Sequence, residues 1–424
     1  LERSANVEAV EHLQQGVRLA EGLPNGQDKL RLQLEIHLDL GSAEVKAGEL
    51  QDALGAYNQA ARLARLAASG IDLARAAIGF EEGEFYLGRA EAASIVLLEE
   101  AMTMLDGSET VERCRVLGGL GRAYTTVGAI ERAREVTGDA VEMARRLGDK
   151  RALYESLIYV YYTTGAGQTD NAWRALIELN ALAKEIGDWD LIMRAESWRG
   201  FHHLQAGDRD RYAESLQIYR TNAELHQQAI HIWVTTSANA MDAVLDGDFE
   251  TSERHAEEAF RLGQKMHIEN AQGVYGTQMF TIRREQGRLA EVAPVFKKFV
   301  DENPAEATWR PGLALIASDL GFLAPARKVF DQMAEDGFKI AHDAKRSATL
   351  SYLAEVCARL QDRKRAEMLY KILQPYAELT ITMGLTTVCY GAAARFLGLL
   401  SATFEDWETA AAHFEVAIVK NSEL

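Results

Sequence analysis

A spacing of small and aromatic residues that recurs down the chain is the strongest constraint on its fold. From Leu120, the residues Gly121, Tyr124, Gly128, Ala133, Thr137 and Ala140 stand at offsets of +1, +4, +8, +13, +17 and +20. From Leu40, the residues Gly41, Glu44, Gly48, Ala53, Tyr57 and Ala60 repeat the same offsets. The frame returns at Gly247, Ser252, Ala256 and Ala259, then at Gly287, Val292, Phe296 and Phe299 with Pro304 beyond them. It continues at Gly321, Ala326, Phe330 and Met333, at Ala366, Tyr370 and Leu373, and finally at Leu397, Gly398, Ala410, Phe414 and Ala417. Offsets of three and four within each half describe helices, and a Gly between the halves describes a helix end in the left-handed region. Small residues early in each helix let the paired helix approach. A Phe or Tyr four residues after the second helix's Ala fills the space toward the next unit. Neither helix hides its apolar stripe alone, so units must stack.

These anchors resemble the tetratricopeptide repeat, a helix–turn–helix unit of about 34 residues. The resemblance implies an all-α class, an α-α superhelix of about eleven helical hairpins with a lone second helix at the N-terminus. Gly128 and Gly207, two repeats apart, are separated by 79 residues, which implies longer helices and connections than the consensus. The stretch "TTGAGQTDN" at 163–171 reads as one such insertion. The expected organisation is one solenoid over 1–424, with "DENPAEATWRP" at 301–311 either an ordinary inter-repeat loop or a bend between two sub-solenoids. The chain opens inside "RSANVEAVEHLQQGVRLAEGLP" on what reads as a second helix, and ends where the next first helix is due. It is therefore expected to be a fragment of a longer protein.

Only 6 prolines in 424 residues, with 47% hydrophobic and 26% charged residues, suit a long helical array with a large core. A net charge of -17 argues against nucleic acid, which needs a basic stripe, and against an anionic membrane surface. That charge serves solubility or an acidic groove for a basic partner. Cys114, Cys357 and Cys389 are odd in number and widely spaced, which fits buried thiols in a reducing compartment. The longest uncharged run, Leu379 to Ala394, falls short of the roughly 20 residues a membrane span requires. The expected location is cytoplasmic.

Motifs that carry chemistry are absent: there is no GxxxxGK(S/T), GxGxxG after a strand, HExxH or GxSxG. Adjacent His202 and His203 point about 100° apart on a helix, poorly placed to share one ion. His255 and Glu258 have ligand spacing but sit on an ordinary second helix. No catalytic residue, metal or cofactor is expected, and the function falls to a surface. The repeat resemblance implies that first helices line the concave face, with the residues flanking their Gly or Ala turned inward. In this frame those positions are Arg122, Thr125, Phe201, Gln205, Met241, Arg284, Asp319, Glu355 and Arg395. Each is a candidate groove contact or a residue that merely solvates the groove. Trp198, Trp233 and Trp309, also on first helices, read as repeat packing or ligand cage.

Two stretches carry a narrower resemblance. The opening "RSANVEAVEHLQQGVRLAEGLPNGQDKLRLQLEIHLDLG" is similar to the segment that follows the ATPase core in large bacterial regulators bearing a class III adenylyl/guanylyl cyclase or a LuxR-type DNA-binding domain. "LAEVCARLQDRKRAEMLYKILQPYA" and "YGAAARFLGLLSATFEDWETAAAHFEVAIVKN" resemble their late repeats, although Gly391-Ala392 stands where Gly-Pro is expected. The resemblance implies a non-catalytic scaffold or sensor arm of a signalling ATPase or nucleotide cyclase. It would bind a protein or peptide in its groove, including the other domains of its own chain. A stand-alone receptor for a small molecule or short peptide is the alternative.

Overall fold

The computed structural model describes residues 2–86, 92–163, 169–226, 229–266, 268, 270–294, 298, 310–340, 342, 345–384 and 387–424. The chain is all-α, a tetratricopeptide-like solenoid of helical hairpins, and it divides into two compact units at Trp189/Asp190. Phe296, Phe299, Pro304, Trp309, most of the 301–311 bend and the centre of the 163–171 insertion lie outside the described residues.

The first unit opens on α1 (Glu2–Glu21), which packs on the helix that follows it. Four hairpins follow. They are α2 (Gln27–Ala47) with α3 (Leu50–Leu66), and α4 (Gly70–Tyr86) with α5 (Ala92–Met104). Next come α6 (Val111–Thr126) with α7 (Ile130–Leu147), and α8 (Lys150–Thr163) with α9 (Thr169–Ile186). Each helix packs on its neighbour in sequence, and first helices also pack on one another, α2 on α4, α4 on α6 and α6 on α8. The core runs continuously along these layers, from Leu34 through Tyr57, Leu98 and Leu120 to Ala152.

The second unit begins with α10 (Trp189–Ala206) and α11 (Arg209–His226), then α12 (Ala229–Leu245) and α13 (Phe249–Lys265). After α14 (Ala271–Glu285), whose partner falls mostly outside the described residues, come α15 (Arg310–Asp319) with α16 (Leu323–Glu335). The pairs α17 (Arg346–Leu360) with α18 (Arg363–Leu373) and α19 (Ala393–Thr403) with α20 (Trp407–Ser422) complete it. Between α18 and α19 the chain forms an antiparallel hairpin of β1 (Thr380–Met383) and β2 (Val388–Ala392), with a bulge between Thr380 and Thr382.

The repeat frame has a steric origin. A Cβ placed on Gly41 would lie 2.8 Å from Tyr57 Cζ, and one on Gly398 would lie 2.7 Å from Phe414 Cε1. Gly121 faces Thr137 in the same way. In all three hairpins the bare backbone of the first helix receives the side chain sixteen residues on. The Ala that opens the second helix is sealed as well: Ala53, Ala133, Ala256, Ala326 and Ala366 are each 0% exposed. At the Gly247-Asp248 turn, Gly247 (φ 73°) ends α12 in the left-handed region, and Asp248 N–H donates to Ala243 O at 2.9 Å. The Asp248 carboxylate then accepts from Thr251 N at 3.1 Å and caps α13.

Ala133→Phe therefore overpacks a crossing that has no free space. We expect a loss of about 1–3 kcal/mol in denaturant unfolding, with far-ultraviolet helicity retained. Glu44 yields a second expectation. It is 3% exposed, and burial together with Asp52 and Glu49 pushes its carboxyl up to about 7 from the ordinary 4.5. Folding thus takes up a proton between those values, and this group removes stability as pH rises through that window. The melting temperature of Glu44→Gln should fall less than that of the parent between about pH 5 and about pH 8. Parallel curves would refute the assignment.

Candidate binding site on the second unit

Four of the groove positions fall on four successive first helices of the second unit: Arg284 on α14, Asp319 on α15, Glu355 on α17 and Arg395 on α19. They are 35, 36 and 40 residues apart, one per repeat, and the stacking brings them into contact. Arg284 Nε donates to Asp319 Oδ2 at 2.7 Å, and both of its Nη atoms donate to the Glu355 carboxylate. Arg395 Nη1 donates to Glu355 Oε1 at 3.1 Å. Arg359, one turn beyond Glu355 on α17, places Nη2 2.7 Å from Asp319 Oδ1.

The result is an alternating chain of charges, Arg359–Asp319–Arg284–Glu355–Arg395. Its inner three side chains are shielded, at 11%, 16% and 7% exposure, while Arg359 and Arg395 are 48% and 41% exposed. Buried carboxylates persist only when paired. Burial alone would raise the Glu355 pKa, but the guanidinium groups of Arg284 and Arg395 outweigh it and hold the group below its usual range. Burial likewise opposes the charge on Arg284, and its two carboxylates overcome that and raise its pKa further.

Beside this chain stands an aromatic wall. Tyr390 on β2 meets Tyr352 on α17 edge-on, with ring centroids 5.4 Å apart. Their hydroxyls are hydrogen-bonded, and Tyr390 also bonds the Thr281 hydroxyl at 3.2 Å. Burial raises both phenols above their ordinary pKa. A cavity of about 550 Å³ opens onto both features and is lined by Arg284, Asp319, Tyr352, Glu355, Tyr390 and Arg395 among others. That volume lies in the range of roughly 300–1,000 Å³ found for small-ligand sites.

The β-hairpin borders the site and lies across the first helices of five hairpins. Thr380 Oγ1 donates to Leu204 O at 2.6 Å, Gln278 Nε2 donates to Thr387 O at 3.2 Å, and Ser347 Oγ donates to Thr382 O at 3.0 Å. At the far end of β2, Ala392 N–H donates to Asn421 Oδ1 at 2.7 Å. A proline at 392 has no N–H to give. Gly391 (φ 80°) presses against the same Asn421, where a Cβ would come within 2.6 Å of its oxygen. Ala392 in place of the expected proline therefore has a structural reason.

The other groove positions sit elsewhere. Arg122 is 8% exposed, with Nε 2.8 Å from Glu81 Oε1 and its guanidinium 4.4 Å from the Phe85 ring centroid. Thr125 is buried and donates to Gly121 O at 2.8 Å. Phe201 is buried edge-on against Trp198, Met241 is buried with Leu204, Tyr212 and Cys389, and Gln205 is half-buried. Trp233 is half-buried on α12. The cysteines are buried free thiols, and burial pushes Cys114 up to about 11 and Cys357 up to about 12. Among the described residues no three His, Cys, Asp or Glu side chains gather to hold a metal ion, and no helix is long and apolar enough to cross a membrane.

Sequence reasoning missed Arg359, Tyr352 and Tyr390. The signal for the hairpin was the uncharged run 379–394, whose Thr, Ile and Val residues around Gly384 have strand character.

No protein-family model and no curated protein matches this chain. Among solved structures it is similar to a Rap protein complexed with competence and sporulation factor, at 12% identity over 99% of this chain and 98% of that one, with a TM-score of 0.42. It is also similar to yeast Tom70, at 13% identity over 98% and 92%, with a TM-score of 0.42. A third is a signal transduction ATPase with numerous domains and a tetratricopeptide repeat sensor, from Pyrococcus horikoshii. There the identity is 14% over 99% of this chain and 55% of that one, with a TM-score of 0.40. Likeness at that level assigns neither family nor ligand.

Glu355 is the member of the charge chain whose loss costs most, because it is the buried one and its loss leaves two half-buried guanidinium groups, those of Arg284 and Arg395, short of a partner. Glu355→Gln should destabilise the second unit by about 3–5 kcal/mol. Arg395→Gln should cost about 1 kcal/mol or less. Denaturant unfolding of the two variants checks the order, and equal costs would contradict the buried-chain description.

Proposed function

We propose that this chain is a non-catalytic binding solenoid that takes a protein or peptide partner on the face formed by its first helices. In this reading it is the scaffold or sensor arm of a bacterial signalling ATPase or nucleotide cyclase. It works in the cytoplasm without a cofactor, and the other domains of its own protein are among its partners. One observation carries the reading: Arg284, Asp319, Glu355 and Arg395, one from each of four successive hairpins, converge on a single cavity. The charge chain links hairpins, and its convergence on a cavity with open arginines at both ends also gives a partner placed polar groups to meet. Partner binding would act on the ATPase by favouring one of two states, which requires a different affinity for each. The 550 Å³ volume, of a size with small-ligand sites, favours the second reading, a stand-alone receptor for a small molecule or short peptide.

The test is crosslinking mass spectrometry on the protein with its neighbouring ATPase and output segments, alongside the isolated chain. We expect crosslinks from those segments onto first helices of the second unit, weakened by Arg395→Glu, which keeps the inner trio of the charge chain. Crosslinks confined to second helices, or unchanged by Arg395→Glu, would overturn the reading.

A further inference from the structure

The charge chain ends in a cation on both sides, and both ends face the cavity. Three guanidinium groups meet two carboxylates, so Arg359–Asp319–Arg284–Glu355–Arg395 carries one surplus positive charge. The inner three side chains are paired with one another, because Arg284 alone makes three hydrogen bonds to the two carboxylates. The end residues differ. Arg359 and Arg395 each commit one nitrogen to a carboxylate of the chain, half-buried Asp319 and buried Glu355, remain 48% and 41% exposed, and line the same cavity. A guanidinium fork anchored at one nitrogen keeps its other donors in a fixed plane, the geometry that suits a carboxylate. Glu285, the other carboxylate side chain on the lining, is exposed, and solvent screens it.

Thr281, Ser351 and Asn421 add polar groups to the lining, which also has an apolar side. Val244, Leu245 and Phe249 come from α12 and α13, and Phe396 from α19, beside the Tyr352–Tyr390 pair. β2 crosses this face and contributes Tyr390 and Gly391 to the lining. The space that remains is suited to a compact group rather than a continuous helix.

We infer that the cavity binds a monoanionic carboxylate attached to an apolar body, with Arg359 and Arg395 holding the carboxylate and the half-buried Val244, Leu245 and Phe249 receiving the apolar part. A free organic acid and the C-terminal residue of a peptide present this same chemistry. The inference rests on the reading of this face as a binding surface and adds the class of ligand.

The experiment measures melting temperature and calorimetric binding of the full chain against N-acetyl-phenylalanine and a hexapeptide ending in phenylalanine, each beside its C-terminal amide. At least one acid should raise the melting temperature saturably, as a ligand of the folded state must, and its amide should not. Arg359→Gln and Arg395→Gln should each weaken the acid about ten-fold, the expected cost of one charge-assisted hydrogen bond. Arg363→Gln, whose exposed side chain pairs with Glu405 and is not part of the lining, should leave binding unchanged. Circular dichroism of each variant separates lost binding from lost folding. Binding of the peptide alone identifies a chain end as the ligand, and binding of N-acetyl-phenylalanine identifies a small acid. Equal shifts from acid and amide, no shift from either acid, or unchanged affinity in both arginine variants would overturn the inference. Crosslinks from partner segments that persist while no acid binds would remove this inference alone, and the absence of both would remove the binding face as well.

Discussion

Everything in this chain depends on how closely two helices of a hairpin approach. A single helix with one apolar stripe is marginal in water, and burial of that stripe supplies most of its stability. At Gly41, Gly121 and Gly398 the first helix offers bare backbone, and Tyr57, Thr137 and Phe414 of the second helix occupy the space a side chain would take. The same contact recurs because each hairpin solves the same packing problem. Sealed alanines at 53, 133, 256, 326 and 366 set the crossing of the second helix, and the next hairpin covers what remains. Stability accumulates by neighbours, so the first helices form a row whose exposed positions are free to carry charge.

The second unit uses that freedom in an unusual way. Arg284, Asp319 and Glu355 are shielded from water, where an unpaired charge is expensive, and each is neutralised by a residue one or two repeats away. Such a chain ties four hairpins together more specifically than apolar packing does, since every member has defined partners. Its ends cannot be neutralised in the same way and reach solvent as Arg359 and Arg395. The β-hairpin then covers part of the row. Its residues carry no charge because Thr380, Ile381, Thr382 and Val388 are buried among first helices, and its backbone carbonyls find donors in Gln278 and Ser347.

The helical class and the Gly-Asp turns were legible in the sequence because each depends on residues at most twenty positions apart. The sixteen-residue pairing of Gly with Tyr or Phe is of the same kind. Arg284, Asp319, Glu355 and Arg395 were legible as positions on first helices, since the repeat frame counts them out. Their mutual contacts were not, because the offset between repeats varies from 35 to 40 residues and the rotation between hairpins sets which side chains meet. Arg122 shows the same limit in the first unit. The frame marks it as a groove position, and the fold places it against Glu81 on the preceding first helix, 41 residues away.

The sequence by itself determined an array of helical hairpins, its crossing points and the row of positions that a groove would use, since periodicity and side-chain size decide local packing. Only the tertiary structure decided that strands within an uncharged stretch pair as a β-hairpin laid across that row, and that five charges join into one chain ending in two open arginines. The physical reason is range. The contact from Thr380 to Leu204 spans 176 residues, and no local pattern encodes which distant helix supplies the carbonyl that a strand hydroxyl will meet.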